Sequence, residues 1–379
     1  MKNVLHLINT GGPGGGETVY VNLVRSLEPR RWRSFAVVPN HEWMFDQLVE
    51  MGIEPIIHRD RMRFDPGYVL GLVRLVRRHR IDLIHSHFFG PSVIASLVGW
   101  ICGVPVLSTL HGPGDLHPRE SLLRAKVALL NRVARRIVLV SEPLRGFFVE
   151  QGGIDPARTA VVPNGIGPEF FAAAPDGRFR AELGVRDGEF LVGSVGNLRR
   201  AKGFDVLLRA AALLRGRGFR FVVVGQAQGE LFDELLALRR ELGLDDEFAF
   251  AGFRDDVHRA TADFDLYAIS SLKEGFSLST VQAMAAGIPV VATRCGGPEM
   301  ILDDGRTGVL VDPGSPEALA DAILRLRDDA AARARMVEAA RAAARERYTL
   351  AEQVRRYEEL YEECVAPAVR RPALEARPA

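Results

Sequence analysis

The chain has 379 residues, enough for two ordinary domains, and 47% are hydrophobic, which suits well-filled cores. Lys and Arg (49) nearly balance Asp and Glu (48), which argues against a nucleic-acid partner held by overall charge. Residues 1–175 nevertheless carry a net +5 and the remainder −4. Three scattered cysteines (Cys102, Cys295, Cys364) have no metal-ligand spacing and read as buried thiols in a reducing compartment.

In chain order, short apolar runs alternate with helical patterns, the signature of parallel sheets with crossover helices. The first series of strands is VLHLIN, SFAVVP, PIIH, DLIHSH, PVLST, IVLV and TAVVP. Helices are expected between them, including residues 40–51, 66–80 and 121–136. Residues 92–110 carry no charge over 19 positions, near a bilayer-spanning length. Gly103 and Pro105 divide that stretch into a buried helix ending near Cys102 and a buried strand. A second series follows the loop FFAAAPDGRF: FLVGSVG, FRFVVVG, FAFAG, LYAIS and PVVAT. Ala- and Arg-rich helices run from Pro316 to about Cys364, and the closing residues read as a frayed tail. The fold class is therefore α/β with two doubly wound domains and a boundary near residue 175. Their strands' carboxyl ends would face one cleft.

Three segments could carry chemistry there. The loop TGGPGGGE after the first strand has no GxxxxGK[ST], and a GxGxxG begun at Gly12 ends on Glu17. What remains is a glycine turn at a helix N-terminus, open to an anion, to hydroxyls, or to neither. In GNLRRAKG, the cations Arg199, Arg200 and Lys202 stand where a strand meets a helix, and could meet a diphosphate or only solvent. In SSLKEGFSLSTVQAMAAG, Glu274 follows a strand and a helix is expected over residues 277–286 with Gln282 on it, a plausible grip on vicinal hydroxyls. His85 and His87 in DLIHSHFFG lack a third ligand, so packed or cleft-lining roles outweigh a metal site. Asp263-Phe264-Asp265 spells DxD but leads into a Rossmann-type strand, and is read as coincidence.

Taken together, GGPGGGE, VVPNGI, GNLRRAKG, EGFSLSTVQAMAAGIPVVAT and GGPEMILDDGRTGVLVDP resemble, in order and spacing, the retaining GT-B glycosyltransferases of family 4 over about residues 1–365. The resemblance implies an acceptor-side Rossmann-like domain at 1–175 and a nucleotide-sugar domain at 176–345. A helix at 346–365 would return to the first domain, before a tail at 366–379. It implies His111, Lys202 and Glu274 as catalytic residues, with Lys202 on the diphosphate and Glu274 on donor-sugar hydroxyls. Gly15 and Gly16 would admit the donor phosphate and acceptor. Asn197, Arg199, Arg200, Gly275, Phe276, Ser277, Leu278 and Gln282 would line the donor, and Gly14, Glu17 and His87 the acceptor side. No metal or other cofactor is implied. Asn197 stands where the family commonly has Arg, and Gln282 where it commonly has Glu, so a binding paralogue with little turnover is a rival reading. A nicotinamide-dependent oxidoreductase is disfavoured by the broken fingerprint. Basic helical stretches, RLVRRHR and LLRAKVALLNRVARR, lie in the acceptor-side domain. They suggest a cytoplasmic protein with peripheral contact to anionic membrane, reaching a glycan or lipid-linked acceptor.

Overall fold

The computed structural model describes residues 1–58, 65–116 and 120–367. Among the described residues, thirteen strands form two all-parallel sheets. The first contains β1 (Lys2–Leu7), β2 (Trp32–Val38), β3 (Ile56–Ile57), β4 (Leu83–His87), β5 (Val106–Leu110), β6 (Ala134–Leu139) and β7 (Thr159–Val161), in the order β3-β2-β1-β4-β5-β6-β7. The second contains β8 (Phe190–Val195), β9 (Phe219–Val224), β10 (Phe248–Gly252), β11 (Leu266–Ile269), β12 (Val290–Thr293) and β13 (Val309–Val311), in the order β10-β9-β8-β11-β12-β13. Helices cover both faces of each sheet, which is why the strands are nearly continuous runs of Val, Ile and Leu. Strand order reverses between β1 and β4, and again between β8 and β11, so a crevice opens at each switch point.

All twelve expected strands form, and β13 is an addition. The helix expected over residues 121–136 ends earlier, at Val133, because Ala134 to Leu139 pair with β5 and β7 as β6. Ladder pairing there overrides the helical propensity of Ala134, Arg135 and Arg136. The apolar stretch divides as expected. The helix Phe89–Cys102 ends on Gly103 at φ +69, and β5 begins three residues later. Among the described residues, no helix is long and apolar enough to cross a membrane.

The chain crosses between the sheets twice, and the crossings lie side by side. Ile166 N–H donates to the Tyr348 carbonyl (3.0 Å), and Leu350 N–H donates to the Ile166 carbonyl (2.9 Å). A Cβ on Gly165 would lie 2.6 Å from the carbonyl carbon of Thr349, so only glycine lets the strands touch. The helix Leu350–Val365 then lies on the first sheet, burying Val354, Tyr357, Tyr361 and Cys364 against Val4, Leu83 and Leu107. Each such large side chain contributes roughly 1.5–3 kcal/mol of burial.

Candidate active site

The three segments singled out for chemistry each sit at the carboxyl end of a strand beside a switch point: β1, β8 and β11. From β1, the loop through residues 9–14 leads into the helix Gly15–Ser26. Gly15 faces open space, whereas Gly16 is closed: a Cβ there would lie 2.7 Å from Cζ of Phe88 and 3.4 Å from Cγ of His111. Of the two glycines, Gly15 has the free approach and Gly16 serves packing. Phe88 itself sits at φ +70, an outlier for a bulky residue that costs about 1–3 kcal/mol. Its N–H donates to Thr109 (2.9 Å), and that bond holds the ring over the glycine turn. Glu17, buried in the first helical turn, folds its carboxylate back against Gly14 and meets the positive end of the helix dipole.

Behind this turn lies a column of buried histidines. His85 bonds the Tyr361 hydroxyl through Nδ1 (2.6 Å) and the Thr109 hydroxyl through Nε2 (2.9 Å), so both ring nitrogens are engaged within the core. His87 Nδ1 meets His111 Nε2 at 2.9 Å, the rings stacked at 16°. The outer nitrogens of that pair, His87 Nε2 and His111 Nδ1, have no partner. Among the described residues, no three His, Cys, Asp or Glu side chains are arranged to hold a metal ion. Burial lowers the basicity of His6 to about 3 and of His111 to about 4, and pushes His85 and His87 well down. Beside them, Asp115 accepts from the His111 N–H (2.7 Å), and burial raises its carboxyl to about 7.

These shifts set an acid response. A histidine of lowered folded pKa takes up its proton on unfolding, so its stability contribution is present above pH 6.5 and lost as pH falls. Asp115, raised in the fold, acts in the opposite sense between about 4 and 7. Four histidines against one aspartate leave up to three extra protons on the unfolded chain near pH 5. Stability is expected to fall between pH 6.5 and 5 by at most about 4 kcal/mol per pH unit. Urea midpoints at pH 7, 6 and 5 check this, and a flat profile contradicts it.

The second wall comes from β8 and β11. Lys202 ends the short turn Arg200–Lys202, its stem against Gly196, and its Nζ meets Glu274 Oε1 at 2.6 Å. Ser271 Oγ donates to the same oxygen (2.8 Å). Backbone fixes Glu274: its N–H donates to Cys295 (2.9 Å), and its carbonyl accepts from Gly297 (3.2 Å). Ser277 precedes the helix Leu278–Ala286, and its buried hydroxyl has no partner. Leu278 opens that helix and packs on the second-domain core, while Gln282 is half-buried on it.

The walls touch. A Cβ on Gly275 would lie 2.7 Å from the His111 carbonyl oxygen and 2.8 Å from Gly112 Cα. Phe276 packs on the cores of both domains. Asn197, expected to line the donor, lines the cleft and has both ends of its amide engaged. Its Nδ2 donates to the Pro13 carbonyl (2.7 Å), and its Oδ1 accepts from Gln226 N–H (3.0 Å). Arg200 pairs with Glu234 (2.7 Å) on the exposed surface, while Arg199 lines a cleft cavity. That cavity, about 550 Å³, also includes Asn9, Thr10, Asn40 and Glu42, which the sequence analysis did not single out. The DxD carboxylates are spent inside the second domain: Asp263 accepts from the N–H groups of Asp176, Gly177 and Phe179, and Asp265 pairs with Arg180.

Two doubly wound domains with a cation–carboxylate pair facing a glycine turn define the GT-B class of glycosyltransferases. A family model described as Glycosyltransferase Family 4 matches residues 13–170, and one described as Glycosyl transferases group 1 matches residues 176–343. The D-inositol 3-phosphate glycosyltransferase of Corynebacterium glutamicum (strain R) is 30% identical over 298 residues, 71% of this chain and 69% of that protein. Its counterpart in Salinispora arenicola (strain CNS-205) is 32% identical over 69% of this chain and 64% of its own. Anabaena Alr3699/HepE, solved in complex with UDP and glucose, superposes with a TM-score of 0.86 at 25% identity, over 96% of this chain and 100% of that one. A glycosyltransferase from Rickettsia africae ESF-5 shares the fold, with a TM-score of 0.87 at 19% identity over 97% and 99%. The chain belongs to glycosyltransferase family 4, and it is a transferase rather than a nicotinamide-dependent oxidoreductase.

Proposed function

We propose that the protein moves a hexose-type sugar, with retention of configuration, from a nucleotide-diphosphate donor to a hydroxyl of a glycan, lipid-linked or small polar acceptor. The observation that carries this is the Lys202–Glu274 pair, set across a closed interdomain contact from His111 and the glycine turn. Lys202 would neutralise the departing diphosphate with help from Arg199. Glu274 and neutral His111 would hold the sugar, and Gln282 the ribose. Positioning and charge stabilisation would supply the rate, without a metal. UDP and UDP-glucose in the Anabaena complexes support a uridine nucleotide as the first donor to try.

A panel of UDP-, GDP- and ADP-sugars, read by thermal shift and then by slow donor hydrolysis, tests this. The matching donor at 100 times its Kd is expected to stabilise the fold by about 2.7 kcal/mol. Binding without turnover, with any acceptor, would favour the binding paralogue. No stabilisation by any nucleotide-sugar would overturn both.

Peripheral contact with the cytoplasmic leaflet is a second part of the reading. Trp100 is 64% exposed and Ile101 43%, at the end of a helix packed between two basic ones. Pro66–Arg78 offers Arg74, Arg77 and Arg78, and Leu123–Val133 offers Arg124 and Arg132, all exposed. An apolar tip ringed by arginines suits anionic lipid. Co-sedimentation with phosphatidylglycerol vesicles is expected at low salt and to weaken in Trp100→Ala, while equal recovery on neutral vesicles would remove the idea.

A further inference from the structure

We infer that the acceptor is an uncharged polyol or sugar terminus and that the site discriminates against phosphorylated acceptors. This rests on the acceptor-side reading of the first wall. The cavity there adjoins the reacting pair: Asn197 lines it one residue beyond Gly196, against which the Lys202 stem lies. At about 550 Å³ it has the size of a small-ligand site.

Its chemistry is that of hydroxyl recognition. Neutral amides and a hydroxyl, Asn9, Thr10, Asn40 and Gln226 among them, outnumber the charged side chains of the lining. Two of these carry buried oxygens with no partner, Thr10 Oγ1 and Asn40 Oδ1. Buried oxygens without partners are costly unless a ligand meets them, and hydroxyl groups can. Asn40 Oδ1 occupies the space a Cβ on Gly11 would take, so the glycine run is what admits this amide to the site.

The charges point the same way. Glu17 and Glu42 both line the cavity, against one exposed guanidinium, Arg199. A helix N-terminus would otherwise offer an anion its free N–H groups. Here the Glu17 carboxylate already meets that end, folded onto Gly14. A phosphomonoester near pH 7 brings almost two negative charges into this surround. The relatives named for inositol 3-phosphate act on an anionic acceptor, and this chain's cavity is built for a neutral one.

The test is ligand binding by the full chain, read by saturation-transfer NMR in the presence of UDP. Myo-inositol and glucose are compared with myo-inositol 1-phosphate and glucose 6-phosphate. Neutral polyols are expected to bind at least about tenfold more tightly than their phosphates. Glu42→Gln is expected to narrow that gap, and Asn40→Ala to weaken the neutral ligands. Equal or tighter binding of the phosphates, or no binding of any neutral polyol, would overturn the inference. The donor panel is a separate readout: a failed panel counts against the transferase reading, and a phosphate preference with a working donor counts only against this one.

Discussion

Lys202→Ala is expected to lower kcat by about 10²–10³-fold, the effect of removing one donor from a developing oxyanion. In the free protein the lysine already has a partner. Lys202 Nζ is spent on Glu274, whose side chain is only 12% exposed and whose same oxygen also accepts from Ser271. A donor diphosphate would draw the ammonium off the carboxylate and free Glu274 for sugar hydroxyls, so one ion pair holds both roles in readiness. Losing the lysine also leaves a largely buried carboxylate with a single neutral partner, at a cost of about 1–3 kcal/mol. Two readouts separate these effects: urea midpoints for stability and single-turnover rates for chemistry. Lys202→Arg keeps the charge but replaces a compact ammonium with a planar fork, and is expected to recover stability more fully than rate. An alanine variant with unchanged kcat would remove Lys202 from the reaction.

The second large effect is expected at Gly275. A valine there meets the His111 carbonyl and Gly112 Cα, both backbone, so neither can rotate aside. The two walls would be held apart by the added side chain while each domain keeps its own core. Displacement of about 1 Å between reacting groups can cost about 10²-fold in rate. Gly275→Val is expected to lose about that much in kcat/KM, with the unfolding midpoint changed little. Unaltered turnover would mean that the His111–Gly275 contact is not part of the competent state.

The strands, and the loops at their carboxyl ends, were legible because Val- and Ile-rich runs broken by Gly and Pro have few other solutions. β13, Val309 to Val311, was overlooked, although it is no shorter than β3 or β7. The apolar spacing of Val354, Tyr357, Tyr361 and Cys364 marks a buried face, but which sheet receives it came only from the family resemblance. Asn197 was placed against the donor because its segment matches a phosphate loop. Its actual partners, Pro13 and Gln226, are 184 and 29 residues away in the chain. Arg200 is likewise held by a partner that local pattern does not reveal, since Glu234 belongs to a helix a full strand later. Local pattern reports which loops reach the cleft. It does not report which side chains in them are already engaged.

The double crossing at Ile166 and Thr349 has a consequence for how the molecule is made. Trp32, Leu23 and Leu107 of the first domain share a core with Tyr357 and Tyr361, which are made long after β7. At about 5–20 residues per second, roughly 10–40 s separate synthesis of β7 from synthesis of that helix. Through that interval the apolar back of β1, β4 and β5 waits uncovered, and the second domain, whose core needs Ala340, Ala344 and Tyr348, is complete only at its end. Neither domain can close its full core until the stretch from Ala340 to Cys364 has been made, so the two are completed together rather than one after the other.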